Sequence, residues 1–417
     1  MLCEGGDDGE FQVVGRRGKA VPRAARCNLK SAPVPPTACK HEPVESCQRQ
    51  AVWPDGAERP RLSVAPMMAW TDLHYRTFAR LLTKRTLLFT EMYPADHVIA
   101  AEADGTLDKL LGFDPAHRPI AVQIGGCCPA QMAKAASLCA KAGFDEINLN
   151  VGCPSPKVTC NHFGACLMKE PEVVKNMAQA CRASCPHGRI VPVTVKHRLG
   201  VDDHDSWEEL TAFVQTVAAA GVSHFVVHAR KALLGVLSPE GNRTIPTLRY
   251  DWVFALARTF PHLSFELNGG VLNLREAEEL LARAPEAPLT GVMIGRAAYK
   301  TPWLLSEADN LLFGVANPGL SRVDVLHKYL DHASSFFHAQ QASGLVPTTL
   351  AALELEQVLA APISYLFEDE DPGFRGTLLQ EVDGREVSST TAGQPPPFLL
   401  RSSVVRVLRQ RGLECMT

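Results

Sequence analysis

The chain has 417 residues, 46% of them hydrophobic, so it can bury a large core, and its length suits one barrel-sized domain with a smaller one beside it. Forty-two basic side chains against 45 acidic ones give a formal net charge of −3, which excludes a global positive field for nucleic acid and leaves only a local patch for such a partner. No apolar run is long enough to span a bilayer, and the N-terminus lacks the basic-then-apolar order of a secretory signal, so the 13 cysteines point to reduced thiols in an intracellular compartment rather than to a disulfide framework.

Residues 1–58 hold "EGGDDGE", "GRRGKAVPRAARC" and "APVPPTAC", rich in Gly, Pro and charge without periodicity, and read as a disordered extension. "GRRGKAVPRAAR" suits an organelle-targeting segment, whereas the acidic residues before it do not, so cytoplasm and organelle both stay open.

From Leu62 the texture changes to short β-rich runs: "LSVAPM", "LLFTEM", "IAVQIGG", "EINLNVG", "VPVTVKHR", "HFVVHAR", "SFELNGG" and "GVMIGRA". Helix signals separate most of them. "TDLHYRTFARLL" opens on a Thr or Asp cap, "CPAQMAKAASLCAKAG" ends on Gly143, "EPEVVKNMAQACRAS" has Pro in its first turn, and "SWEELTAFVQTVAAAG" runs from Ser206 to Gly221. Eight such units predict an α/β fold, a closed (β/α)8 TIM barrel over residues 59–315. Residues 316–368 read as a small helical domain, and beyond Asp369 no stable fold is assigned.

A barrel places its active site at the C-terminal ends of its strands. Here those ends carry Met67 and Met68, Glu91, Gln123, Asn150 and Cys153, Lys196 to Arg198, His228 to Arg230, Asn268 to Gly270, and Gly295 with Arg296. The "NGG" and "IGR" turns suit a phosphate, because glycine lets backbone N–H groups approach an anion and Arg296 adds a bidentate donor. Gln123, Lys196 and His228 face the same mouth. Gln and Lys can serve the carbonyls and the N1 region of a flavin ring, and Lys196 could instead be a Schiff-base nucleophile.

Cys153, held between Gly152 and Pro154, could be a packed thiol, a metal ligand, a nucleophile or an acid. Cys160 and Cys166 stand at spacings that match no zinc pattern, and Cys127 and Cys128 are adjacent rather than a C-x-x-C pair, so no metal is expected. Beside a flavin, a thiol can protonate one carbon while hydride goes to its neighbour, and this is the preferred role.

Taken together, "LSVAPMMAWTD", "VQIGG", "INLNVGCPSPKV…FGACLM", "VTVKHRLGVDD", "VVHARKALLGVLSPEGNRTIPTLRYD", "LNGG" and "GVMIGRAAY" resemble the tRNA-dihydrouridine synthases, and more narrowly those acting on D-loop positions 20 and 20a. The resemblance implies a monomeric flavoenzyme in which NADPH reduces FMN and the C5–C6 bond of uracil is then saturated. Hydride would go to C6 and Cys153 would protonate C5. It further implies FMN contacts from Pro66, Met67, Met68, Gln123, Lys196, His228, Asn268, Gly269, Gly270, Gly295 and Arg296, and tRNA contacts from Asn150, Arg230, Lys231, Asn242, Arg243 and Arg375.

Two departures stand out. Glu240 replaces a lysine usual in the family, and "LFEDEDPGFRGTLL" puts Leu378 where a second tRNA-gripping arginine is expected after Arg375, beside an acidic run that would repel phosphate. Rival readings are another FMN barrel of the dihydroorotate dehydrogenase type, a tRNA-binding protein of weak catalysis, and a Schiff-base aldolase through Lys196.

Overall fold

The computed structural model describes Trp53 and residues 58–185, 191–283, 285, 288–346, 349–383 and 398–413. The extension expected over residues 1–58 otherwise lies outside these. At Trp53 the expectation of disorder fails, because its indole is buried in one cluster with Leu87, Phe89 and Met293.

Eight parallel strands close a barrel in sequence order: β1 (Leu62–Val64), β2 (Leu87–Pro94), β3 (Ile120–Gly125), β4 (Glu146–Val151), β5 (Val193–Arg198), β6 (His224–His228), β7 (Ser264–Asn268) and β8 (Gly291–Ile294). Closure is made by β1 and β8, which pair Leu62 with Val292 and Val64 with Ile294. Alternation along the strands sorts the core. Leu88, Val122, Ile147, Val195 and Phe265 belong to one large apolar cluster, whereas Leu87, Phe89, Ala121 and Val226 form a separate cluster within the barrel.

The expected helix signals act locally. Asp72 caps the helix Leu73–Leu82 by accepting from the Tyr75 N–H at 2.8 Å, and Ser206 with Glu209 forms a capping box on the helix Trp207–Ala218. Gly143 follows the helix Pro129–Ala142 with φ of 101°.

Near the N-terminal end of the strands the interior is ionic. Arg59 donates from Nε to Glu146 and from Nη1 to Glu266, both at 2.7 Å, while Ser63 and Thr194 donate to the same carboxylates at 2.5 and 2.6 Å. Burial alone would push the Glu266 carboxyl up, but the Arg59 charge, aided by His224 and Ser63, holds it at about 2.

After the barrel come the helices Arg322–Ala342, Thr349–Ala360, Phe374–Asp383 and Leu400–Arg411. The first packs on the helix Leu73–Leu82, where the His74 ring meets Phe336 edge-on at 4.5 Å and Phe78 meets Tyr329 at 5.9 Å. The last two correct the expectation of no fold beyond Asp369. Phe374, Leu378 and Val382 bury one face, and Leu400, Val404, Val407 and Leu408 repeat at helical spacing and bury another. Three of the arginines that obscured this pattern are paired: Arg401 with Asp331, Arg406 with Glu381 and Arg411 with Asp371. Among the described residues no helix is long and apolar enough to cross a membrane.

Candidate active site

A cavity of about 430 Å³ opens at the C-terminal ends of the strands. Every residue expected to touch FMN lines it, and so do Cys153, Asn150 and Arg243. Lys157, Lys196, Arg198, Arg243 and Arg296 contribute five cations, and no carboxylate lines the cavity. A site of this charge suits an anionic ligand and repels a cationic one.

Its floor is a carboxamide relay across neighbouring strands. Gln123 donates from Nε2 to Asn148 Oδ1 at 2.8 Å, Asn148 donates to Thr194 Oγ1 at 2.8 Å, and Asn150 donates from Nδ2 to Gln123 Oε1 at 3.0 Å. The relay fixes the orientation of the Gln123 amide and leaves one of its N–H bonds for a ligand.

Asn150 Oδ1 then accepts from the backbone N–H of Gly152 at 3.1 Å and of Cys153 at 3.0 Å. Behind the loop, the Ala165 N–H donates to the Cys153 carbonyl at 2.8 Å, and Gly164, at φ of 79°, sits so close that a Cβ would lie 2.6 Å from that carbonyl oxygen. The "FGACL" segment is thus the backing of the thiol loop. Burial pushes the Cys153 thiol up, against opposing effects from the Ser155 N–H and the cations Arg198, Lys196 and Arg243. At neutral pH it is a protonated thiol, suited to give a proton rather than to attack as a thiolate.

On the opposite wall, Asn268 donates to the Met293 carbonyl at 2.9 Å, and the Gly269 carbonyl accepts from Tyr250 Oη at 2.6 Å. Gly269 has φ of 111°, and a Cβ there would lie 2.5 Å from the His228 ring, so only glycine lets ring and backbone share this corner. Burial, then the charges of Arg198 and Lys196, keep His228 neutral, well below its usual value. Lys196 is lowered to about 8 by burial and by Arg198.

The sequence profile described as Dihydrouridine synthase (Dus) matches residues 63–353. The chain belongs to the dihydrouridine synthase family. It is 46% identical over 273 residues to the tRNA-dihydrouridine(20/20a) synthase of Vibrio cholerae, a match covering 65% of this chain and 79% of the relative. To the proteins of the same name from Synechocystis and Pseudomonas putida it is 43% identical over 281 residues and 42% identical over 311 residues. These matches cover 67% and 73% of the chain, and 80% and 89% of the relatives.

For this dihydrouridine synthase family member, several expected tRNA contacts stand elsewhere. Asn242 is fully buried and its carboxamide is spent inside its loop, accepting from the Leu233 N–H at 2.7 Å and donating to the Leu233 and Leu237 carbonyls. That corrects its expected role, since a sealed amide cannot meet RNA. Arg230 is turned onto the Thr244 and Pro246 carbonyls, and Lys231 pairs with Asp205 at 3.0 Å. Neither lines the cavity. Arg375 lies over the Tyr365 ring at 4.8 Å, while Leu378 is buried.

The acidic run is engaged internally: Arg322 holds Asp369 at 2.8 Å and Glu370 at 3.1 Å. Ser155, Lys157 and Trp70 line the cavity without having been singled out, although the first two lie in the "GCPSPK" segment that drew attention to Cys153. Among the described residues no group of His, Cys, Asp or Glu is placed to hold a metal ion.

Proposed function

We propose that the chain is a tRNA-dihydrouridine synthase that uses NADPH and FMN to saturate the C5–C6 bond of uridines 20 and 20a in the tRNA D-loop. The observation that carries this reading is Cys153, the one thiol lining a cavity of five cations, held by Asn150 at the end of β4. The names of the relatives supply the substrate and its positions.

The residues present fit FMN. The glycine corner at Gly269 and Gly270 beside Arg296 suits a phosphate, and Gln123, Lys196 and His228 surround the space a ring would fill. When bound, the flavin supplies the hydride. Lys196 holds positive charge against an electron-rich ring, Asn150 fixes the thiol loop, and Cys153 delivers a proton to a uracil taken out of its stack. Arg243, exposed on the rim, and Lys157 offer phosphate contacts, and Arg375 offers a further one from the helical segment.

The test is to load the protein with FMN and add NADPH without oxygen, with and without unmodified tRNA. Bleaching by NADPH and return of colour only with tRNA support the reading. Return of colour with a free pyrimidine and no RNA overturns it in favour of a small-molecule dehydrogenase.

A further inference from the structure

Arg198, the last residue of β5, is only 2% exposed, yet among the described residues no Asp or Glu pairs with it. Its Nε donates to the Gly152 carbonyl at 2.9 Å, and its Nη1 donates to the carbonyls of Lys231 at 3.1 Å and Asn242 at 2.8 Å. Gly152 directly precedes Cys153, and Asn242 directly precedes Arg243. One side chain therefore ties the thiol loop, the segment after β6 and the turn carrying Arg243, while lining the cavity beside all of them.

Three backbone carbonyls solvate a guanidinium but do not neutralise it. A buried cation without a counter-anion is costly, and a packed apolar residue would be cheaper at the same place. The charge acquires a partner if an anion forms in the cavity during turnover. One group there able to become an anion is the Cys153 thiol, on the residue that follows Gly152.

We infer that Arg198 is a positioning residue for proton delivery, which locks the Cys153 and Arg243 loops into one frame and stabilises the thiolate left on Cys153 after its proton goes to uracil C5. The inference rests on the reading above. In that step the S–H bond breaks and its electron pair stays on sulfur, while the π pair of C5–C6 takes the proton. The hydride reaching C6 supplies the two reducing electrons, drawn ultimately from NADPH, and solvent later reprotonates the sulfur. Lys196 also faces the thiol, but burial and Arg198 lower it to about 8, whereas Arg198, lowered by burial to about 10, holds its charge over a wider pH range. The groups facing the thiol are then Arg198, Lys196, Arg243 and the Ser155 N–H.

The experiment uses the full chain loaded with FMN, with Arg198→Gln and Arg198→Lys. Alkylation of Cys153 by iodoacetamide is followed against pH by mass spectrometry of its peptide, and tRNA-dependent flavin reoxidation is timed in parallel. Glutamine is expected to move the alkylation midpoint up by about one pH unit, slowing alkylation roughly tenfold near neutrality. Reoxidation should slow by about 100-fold. Lysine should keep the midpoint and slow reoxidation by about tenfold, because it keeps the charge but cannot bridge three carbonyls.

A merely structural role would loosen the loop and speed alkylation in both variants at an unmoved midpoint, which overturns the inference, as does unchanged reoxidation in Arg198→Gln. If that variant does not fold, Arg198→Lys decides, and a shifted midpoint or an unchanged rate sinks the idea. Failure of tRNA to reoxidise the wild-type flavin counts instead against the synthase reading, and the alkylation midpoint still judges the charge.

Discussion

Asn150 holds Cys153 by its backbone: one carboxamide oxygen accepts the Cys153 N–H at 3.0 Å and the Gly152 N–H at 3.1 Å, while the amide nitrogen is anchored on Gln123 at 3.0 Å. The thiol is therefore aimed through the same residue that orients a ligand-facing amide. Asn150→Ala leaves two N–H groups without their acceptor and frees the loop. The expected result is a protein that keeps its flavin but returns colour with tRNA about 100-fold more slowly, since small misplacements of a reacting group cost on that order. Single-turnover reoxidation checks it, and an unchanged rate would show that Gly164, Ala165 and Arg198 hold the loop without Asn150.

Cys153→Ala removes the proposed proton donor without touching the glycine corner or Lys196. Flavin content and its bleaching by NADPH should persist while uridine reduction falls by about 10²- to 10⁴-fold, the range for loss of a general acid. The measurement is dihydrouridine in tRNA digests by mass spectrometry. Turnover within a few-fold of wild type would assign the thiol to packing.

Gly269→Ala tests the corner. The φ of 111° strains any L side chain, and the new methyl would lie 2.5 Å from His228. Gly235, at φ of 71° with nothing within 4 Å of a Cβ, is the control that carries backbone strain alone. Both substitutions are expected to destabilise by roughly 1–3 kcal/mol in urea titrations. Only Gly269→Ala should also lower the flavin-to-protein ratio, and equal ratios in the two variants would move the ligand away from this corner.

The strands and their chemical ends were legible because barrel geometry sends alternate residues of a run such as "EINLNVG" to opposite sides and gathers the C-terminal ends at one mouth. Other features depend on partners far away in the chain. Asn150 reads as a rim residue open to RNA until the register of β3 against β4 brings Gln123 to its amide. Asn242 reads as a polar loop residue until the turns around it close on its side chain. The helix Leu400–Arg411 reads as a basic tail because Asp331, Asp371 and Glu381, which neutralise it, are contributed by three separate segments.

The ionic plug gives a prediction about stability. Glu266 is held at about 2 in the folded state, below its unfolded value near 4.3, so its contribution is present above the unfolded pKa and is lost as pH falls through about 2. Arg59→Met reverses the sign. Glu146 and Glu266 would then be buried without Arg59, the folded pKa of Glu266 would rise above its unfolded value with only His224 left beside it, and the variant would gain stability as pH falls. At pH 7.5 the loss should be about 3–5 kcal/mol, the cost of breaking a buried ion pair from one side. At pH 5 the deficit should be smaller, because protonation relieves Glu266 in the variant while wild type still has its pair. Urea unfolding at both pH values decides, and a deficit that is the same at both would mean the two carboxylates reach water once Arg59 is gone.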